Sequence, residues 1–286
     1  MNESTLQKLI KDWALWPNLC ESEPQAKHFT PLENGLTNEN WLFHINNKKY
    51  VLRLNANNAH ALHLNRHAEW HIHQCISQYN LCQPYIFRQK NDIYWMRPFM
   101  EGHTLKENME KSHNFLDESL LEKMAAKFKF LHSLPTSSSW PEINHKKRTE
   151  HYWNQILKPL DEKSGLKHAL IKQQKSFDNK TVYTSYVPTL CHMDANTNNW
   201  IIDGKDIYLI DWEYAALGNP LWDLAEFCLS CELNQKQTHA FLKSYGIKNL
   251  TAFEHAKKQM MYLSLLWFAV QKEISHEELI GKLEQL

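Results

Sequence analysis

The sequence predicts an α+β protein of two lobes, a small antiparallel β-sheet followed by a larger, mainly helical part. Three observations predict it. Segments in the first hundred residues alternate apolar and polar side chains around tight turns. From about residue 105 onward, apolar residues recur at helical spacing. Within that helical part, two short apolar runs at 199–203 and 206–211 bracket an Asp-Gly step, the pattern of a β-hairpin. The expected division is a sheet lobe over 1–100 and a helical lobe over 101–286, with an active site in the cleft between them. A chain of 286 residues can bury cores for both.

Taken in order, residues 4–16 read as an amphipathic helix that ends near Pro17. A hairpin follows, with Trp41, Phe43 and Ile45 alternating against Leu42 and His44. After the turn at Asn46-Asn47, Tyr50, Leu52 and Leu54 alternate against Val51 and Arg53. Ahead of it, Glu33-Asn34-Gly35-Leu36-Thr37-Asn38 is rich in turn residues. Such a loop can point backbone N–H groups at a phosphate, and it is equally an ordinary turn. Residues 59–79 predict one helix, on which His60, His63, His67 and His71 share a face. A metal site and a solvated histidine face are both readings of that pattern, and the absence of a carboxylate or cysteine ligand set favours the second. Arg66 and Glu69 lie on the same helix. Behind a sheet, an acid there can hold a basic strand residue, and Arg53 is the candidate partner.

Residues 92–100 predict a strand broken at Pro98, and 100–104 a link between lobes. Asp117 is placed to cap a helix carrying Leu120, Leu121, Met124, Phe128 and Leu131. A helix with a polar connection is expected over 148–180. Later helices are expected over 221–231, 235–245, 251–271 and 276–285.

The chemistry concentrates between Leu190 and Asp223. With Gly204-Lys205 at the hairpin apex, Asn199 and Asp211 stand at its open end, where cross-strand Cβ atoms lie about 4.5–5.5 Å apart. An amide oxygen and a carboxylate at that spacing suit Mg²⁺. Asp194, five residues before Asn199, falls on the loop entering the hairpin, and Glu213 follows it. One base, two metal ligands and a further acid, with a cation at Arg53, form an inventory for phosphoryl transfer.

Composition narrows the partners. Lys plus Arg number 32 and Asp plus Glu number 32, so no global basic field invites nucleic acid. The N-terminal residues lack a signal-peptide pattern, and the most apolar run, 260–270, is about half of a membrane span. Six scattered cysteines fit a reducing compartment, so a cytoplasmic protein is expected. Cys228 and Cys231 form a Cys-x-x-Cys pair in an apolar stretch, where packing is the simpler role.

His192-x-Asp194-x-x-x-x-Asn199, followed by Ile210-Asp211-Trp212-Glu213-Tyr214-Ala215 and Asp223, resembles the catalytic block of the aminoglycoside-phosphotransferase-like kinases. Within these, the resemblance is to choline/ethanolamine kinases and bacterial thiamine kinases. Gly35-Leu36-Thr37-Asn38 is similar to their phosphate loop, and Tyr50-Val51-Leu52-Arg53-Leu54 to the strand in which arginine replaces the usual kinase lysine. The resemblance covers about residues 30–270 and implies a protein-kinase-like fold with ATP and Mg²⁺ as cofactors. It implies Asp194 as catalytic base, Asn199 and Asp211 as Mg²⁺ ligands, and Glu213 supporting the metal site. Arg53, held by Glu69, would meet the ATP phosphates, Phe99-Met100 would read adenine, and His192 and Asp223 would brace the catalytic loop.

For the acceptor, Trp212, Tyr214, Trp222 and Trp267 are spread around the presumed pocket. Aromatic faces attract a quaternary ammonium by about 0.5–2 kcal/mol per contact. With 11 tryptophans in the chain, core packing is the competing role for each of them. Choline-kinase patterns pair two tryptophans a helical turn apart, where this chain has Ser264 and Trp267. They also carry an acid where Ser230 stands, and Glu226, four residues earlier, shares that helix face. The expected function is therefore ATP-dependent phosphorylation of a small cationic alcohol, choline or ethanolamine first and thiamine as the alternative. A nucleotide-binding regulator without catalysis is the alternative from another class.

Overall fold

A two-residue turn with both residues left-handed sets the first hairpin. Asn46 (φ 49°) and Asn47 (φ 58°) link strands that twist correctly only through such a mirror-image turn. The computed structural model describes residues 3–32, 37–112 and 116–286. The chain divides into two compact units. One comprises 1–58, 70–103 and 201–210, and the other 59–69, 104–200 and 211–286.

The first unit begins with α1 (Glu3–Ile10) and a 3₁₀ turn, Lys11–Leu15, that stops before Pro17. Its antiparallel sheet contains β1 (Phe29–Leu32), β2 (Glu39–Ile45), β3 (Lys48–Leu54), β4 (Phe87–Arg88) and β5 (Tyr94–Pro98), in the order β1-β2-β3-β5-β4. The register sets Asn40 against Arg53 on one side and Arg53 against Trp95 on the other. One face buries Leu6, Leu9, Ile10, Trp16, Phe43 and Tyr94, where the Trp16 indole donates to the Tyr94 hydroxyl at 2.9 Å. The strand expected over 92–100 ends at Pro98, whose missing N–H cannot extend the ladder.

The helix expected over 59–79 is shorter, α2 (Arg66–Ser77), because the preceding residues turn and His63 sits at φ 59°. The four-histidine face is thereby lost. His63 instead stacks on His151 at 4.9 Å, and His60 meets the same ring edge-on at 5.6 Å. The segment expected as a plain link contains a strand, β6 (His103–Thr104). It pairs with β8 (Trp200–Asp203), which turns through Gly204 (φ 58°) into β9 (Asp206–Leu209). Gly102 has no alternative here. At φ 118°, a Cβ would stand 2.5 Å from the Ile202 carbonyl oxygen. The Leu209 N–H donates to the Leu81 carbonyl, which ties residues 201–210 to the first unit.

The second unit is helical. It contains α3 (Leu105–Lys111), α4 (Glu118–His132), α5 (His145–Leu157), α6 (Gly165–Lys180), α7 (Pro220–Ser230), α8 (Gln235–Tyr245), α9 (Leu250–Val270) and α10 (His276–Glu284). The single helix expected over 148–180 is two, with Ser164 capping the second. Asp117 caps α4 by accepting from the Leu120 N–H at 2.7 Å, and Asn219 caps α7. A short antiparallel pair, β7 (Thr189–Cys191) with β10 (Ala216–Gly218), sets Cys191 opposite Ala216. It therefore clamps both ends of the stretch that carries the acids. Among the described residues, no helix is long and apolar enough to cross a membrane.

Candidate active site

The clamp is continued by a buried carboxylate. Asp223, in the first turn of α7 and 0% exposed, accepts from the His192 N–H at 2.8 Å and the Met193 N–H at 2.7 Å. The His132 ring nitrogen Nε2 meets Asp223 Oδ2, the oxygen that also accepts from His192, at 3.0 Å, and His132 Nδ1 meets the Tyr245 hydroxyl at 2.9 Å. Met193 takes φ 65°, which turns the chain sharply just before Asp194. His192 packs edge-on against Trp212 at 4.5 Å, and its Nδ1 accepts from the Asp194 N–H at 3.3 Å. Among the described residues, His132, Cys191 and Asp223 form a set whose possible metal-ligating atoms lie within 4.8 Å of one another. Both Asp223 oxygens already accept N–H bonds, so this set works as a structural knot.

Asp194 is held at both oxygens. Asn196 Nδ2 donates to Oδ1 at 2.9 Å, and Asn199 Nδ2 donates to Oδ2 at 2.9 Å and to the Asp194 carbonyl at 2.8 Å. Burial pushes the Asp194 carboxyl well above the usual carboxylate range. The charges of Glu226, Asp211 and Glu213 push the same way, and the Asn196 hydrogen bond opposes them. Asp211, left-handed at φ 62°, stands two residues after the end of β9. Because Asn199 spends its amide nitrogen on Asp194, its Oδ1 faces the other way. An amide oxygen with carboxylates is an all-oxygen donor set, and that chemistry fits Mg²⁺.

Glu213 is 5% exposed and pairs with Arg66, whose Nη1 lies 2.9 Å from Glu213 Oε2 and 2.9 Å from Glu69 Oε2. One guanidinium thus joins the first turn of α2 to the acidic loop. Arg53 belongs to the first unit, where its Nε donates to Asn55 Oδ1 at 3.1 Å. Its guanidinium also lies over the Trp95 ring at 4.8 Å. Asn38, 2% exposed, accepts from the Ala56 N–H at 3.1 Å, and Thr37 beside it is half-buried. Gly35 lies outside the described residues. Phe99 directly follows β5 and donates its N–H to the Lys49 carbonyl at 2.9 Å, and Met100 is buried.

The aromatic residues separate into two groups. Trp212 and Trp222 are 0% and 1% exposed, and the Trp222 indole donates to Gln259 Oε1 at 2.7 Å. Both are buried, and a bulky indole whose N–H finds a partner inside, as that of Trp222 does, is stable there. Tyr214 and Trp267 instead meet through a hydrogen bond, the indole donating to the phenol oxygen at 2.7 Å, and Trp267 is half-buried. The Arg148 guanidinium lies 5.9 Å from the Tyr214 ring centroid. Glu226, on α7, is half-buried, and its carboxyl is pushed up to about 7 by burial and by the Asp223 charge.

Residues 28–257 match the phosphotransferase enzyme family, a span of most of the chain. The chain belongs to that family. A LicA protein of Haemophilus influenzae is 23% identical over 276 residues, covering 89% of this chain and 77% of that protein. A LicA homologue of Metamycoplasma hominis is 46% identical over 55 residues, a stretch covering 19% of this chain and only 22% of that relative. Among solved structures, the choline kinase LicA of Streptococcus pneumoniae superposes with a TM-score of 0.70 at 18% identity, covering 99% of this chain and 100% of that one. Aminoglycoside phosphotransferases share the fold as well.

This phosphotransferase has the expected kinase-like architecture, an antiparallel sheet unit and a helical unit. Four of its site residues escape a sequence reading: Asn196, Arg66 as partner of Glu213, His132 and Arg148. Asn196 stands inside the motif and its spacing gave a signal. The other three come from distant segments, so only folding brings them in.

Proposed function

We propose that this phosphotransferase moves the γ-phosphoryl group of ATP to the hydroxyl of a small amine-bearing alcohol. Choline and ethanolamine are the first candidates and thiamine the alternative. The observation that carries the reading is Asp194 fixed at both oxygens by Asn196 and Asn199, with Asp211, Glu213 and Glu226 close enough to perturb it electrostatically. A carboxylate so held has one orientation to offer an incoming hydroxyl. The names of the relatives support the acceptor class.

In this reading Asp194 receives the acceptor hydroxyl and takes its proton as the new O–P bond forms. The bond from the γ-phosphorus to the bridging oxygen breaks, and ADP leaves with that electron pair. Asn199 and Asp211 are the residues that would hold Mg²⁺, which when bound neutralises charge on the phosphates. Glu213, already paired with Arg66, supports that loop. Arg53, with Thr37, Asn38 and the adjoining loop, is assigned to the nucleotide phosphates. Adenine falls to the backbone at Met100, since the Phe99 N–H is taken by Lys49. Asp223 and His192 keep the catalytic loop in place. Consumption of ATP and six free cysteines favour a cytoplasmic setting.

The test is a coupled ADP-release assay with MgATP and choline, ethanolamine, thiamine or an aminoglycoside. Turnover of an amine-bearing alcohol is expected, and silence with all four would sink the acceptor class. Asp194→Asn should lower kcat by about 10²–10⁴-fold while ATP still binds. Normal turnover in that variant would refute the assignment of the base.

A further inference from the structure

The buried face of α5 carries Arg148 and Tyr152, one helical turn apart. Tyr152 donates its hydroxyl to the Leu62 carbonyl at 3.2 Å and feels the charges of Arg148, Glu213 and Asp194. This face of α5 therefore looks toward the loop that holds the catalytic acid. Arg148 is 8% exposed, and among the described residues no hydrogen bond or ion pair reaches its guanidinium. Its side-chain neighbour is the ring of Tyr214, 5.9 Å away. Its guanidinium nitrogens are not among the fully buried unsatisfied atoms, so the small exposed part of Arg148 includes its charged end. With no hydrogen-bond partner among the described residues, that end is open to an anion that arrives from outside.

The same contact bears on the ammonium end of the acceptor. An arginine already stands over Tyr214, so that ring face cannot serve a ligand cation. Glu226 remains for it: Asp211 is assigned to Mg²⁺ and Glu213 is paired with Arg66, while Glu226 acts on Asp194 from α7. The wall thus combines the Glu226 carboxylate for an amine with a cation that has no ion-pair partner among the described residues.

We propose that Arg148 forms an anion subsite and that the preferred acceptor is an alcohol bearing a carboxylate beside its amine. The inference rests on the phosphotransferase reading above and narrows its acceptor class. A carboxylate suits the planar guanidinium fork. A phosphate dianion suits it as well, but it would be repelled more strongly by the four acids nearby.

Matched pairs isolate the anion. Serine is ethanolamine with a carboxylate on the amine-bearing carbon; carnitine is choline with a carboxymethyl group on the hydroxyl-bearing carbon, so it tests a carboxylate on the other side of a secondary hydroxyl. Each is offered with MgATP to the wild type, Arg148→Met and Arg148→Lys. The expected result is a kcat/KM at least tenfold higher for the carboxylated member of one pair. Arg148→Met should erase that preference through KM, with the uncharged-end substrates changed less than threefold, and Arg148→Lys should restore part of it. Calorimetric binding of the same four compounds, read without turnover, separates the two ideas. Arg148-dependent binding of serine or carnitine without phosphorylation keeps the subsite and overturns the kinase reading. Turnover of choline or ethanolamine with no binding of the carboxylated partners overturns the subsite and keeps the kinase reading. An equal loss for all four substrates in Arg148→Met also overturns it, since Arg148 would then act on a group they share. Melting curves check the fold, and Arg148→Lys preserves the test if the methionine variant does not fold.

Discussion

Asp223 spends its carboxylate on two consecutive backbone N–H groups and a histidine, all inside the protein. Removing it leaves two buried donors without an acceptor. Asp223→Ala should therefore cost more than about 2 kcal/mol, measured by denaturant unfolding, with Asp223→Asn costing less because one oxygen remains. Arg66 is the complementary case. Its guanidinium bridges Glu69 and Glu213, whose side chains are 1% and 2% exposed. Arg66→Met removes that bridge from two buried acids, and a loss of about 3–5 kcal/mol is expected. A thermal melt that moved by less than a degree would show that the pair carries no such burden. At this scale the sequence was informative about residue type and silent about partners. Asp194, Asn199, Asp211 and Glu213 could be named from spacing, but that Arg66 serves Glu213 depends on residues 147 positions apart.

Secondary-structure elements place these residues by their ends. β7 and β10 clamp the stretch from His192 to Tyr214, and the hairpin of β8 and β9 returns the chain so that Asn199 and Asp211 flank it. Turn geometry is where elements can be tested. Asn47 sits at φ 58°, a conformation glycine adopts without strain, so Asn47→Gly should stabilise by up to about 1 kcal/mol. Asn47→Ala should destabilise, and matched urea midpoints for the two variants would contradict this. Gly102→Ala should be worse than either, because strain at φ 118° is joined by a 2.5 Å approach to the Ile202 oxygen. The later helices matched the sequence pattern within a residue or so, since their apolar stripes and caps are local signals. The helix expected from 59 failed because a left-handed His63 interrupts a pattern that periodicity alone reads as continuous.

At the scale of the whole molecule, buried titratable groups make stability depend on pH in two opposed ways. The Glu226 carboxyl is pushed up to about 7, so between about 4.5 and 7 the folded form holds a proton that the unfolded chain has lost. This contribution is complete below the unfolded value and disappears as pH rises through 7, with a slope of at most about 1.4 kcal/mol per unit. Glu226→Gln should remove that decline and be more stable than the wild type at pH 8. His145 runs the other way. Burial lowers its ring to about 4, so the unfolded chain takes up a proton first and stability falls as pH drops from about 6.5 toward 4. Denaturant titrations of the wild type and both single variants, His145→Gln being the second, separate the slopes. A Glu226→Gln curve parallel to the wild type across pH 5–8 would contradict the first of them.

By itself the sequence determined the reaction class and the two-part architecture. Both follow from local regularities: alternation of period two, helical spacing, capping residues, and an Asp-x-x-x-x-Asn motif ahead of a hairpin. Tertiary structure decided which tryptophans face inward, that Arg66 pairs with Glu213, and that Arg148 stands beside Tyr214 with no hydrogen-bond partner among the described residues. The physical reason is that burial and pairing join segments distant in the chain. An aromatic or charged side chain has the same identity in a core, a salt bridge or a binding wall, and only its neighbours distinguish them.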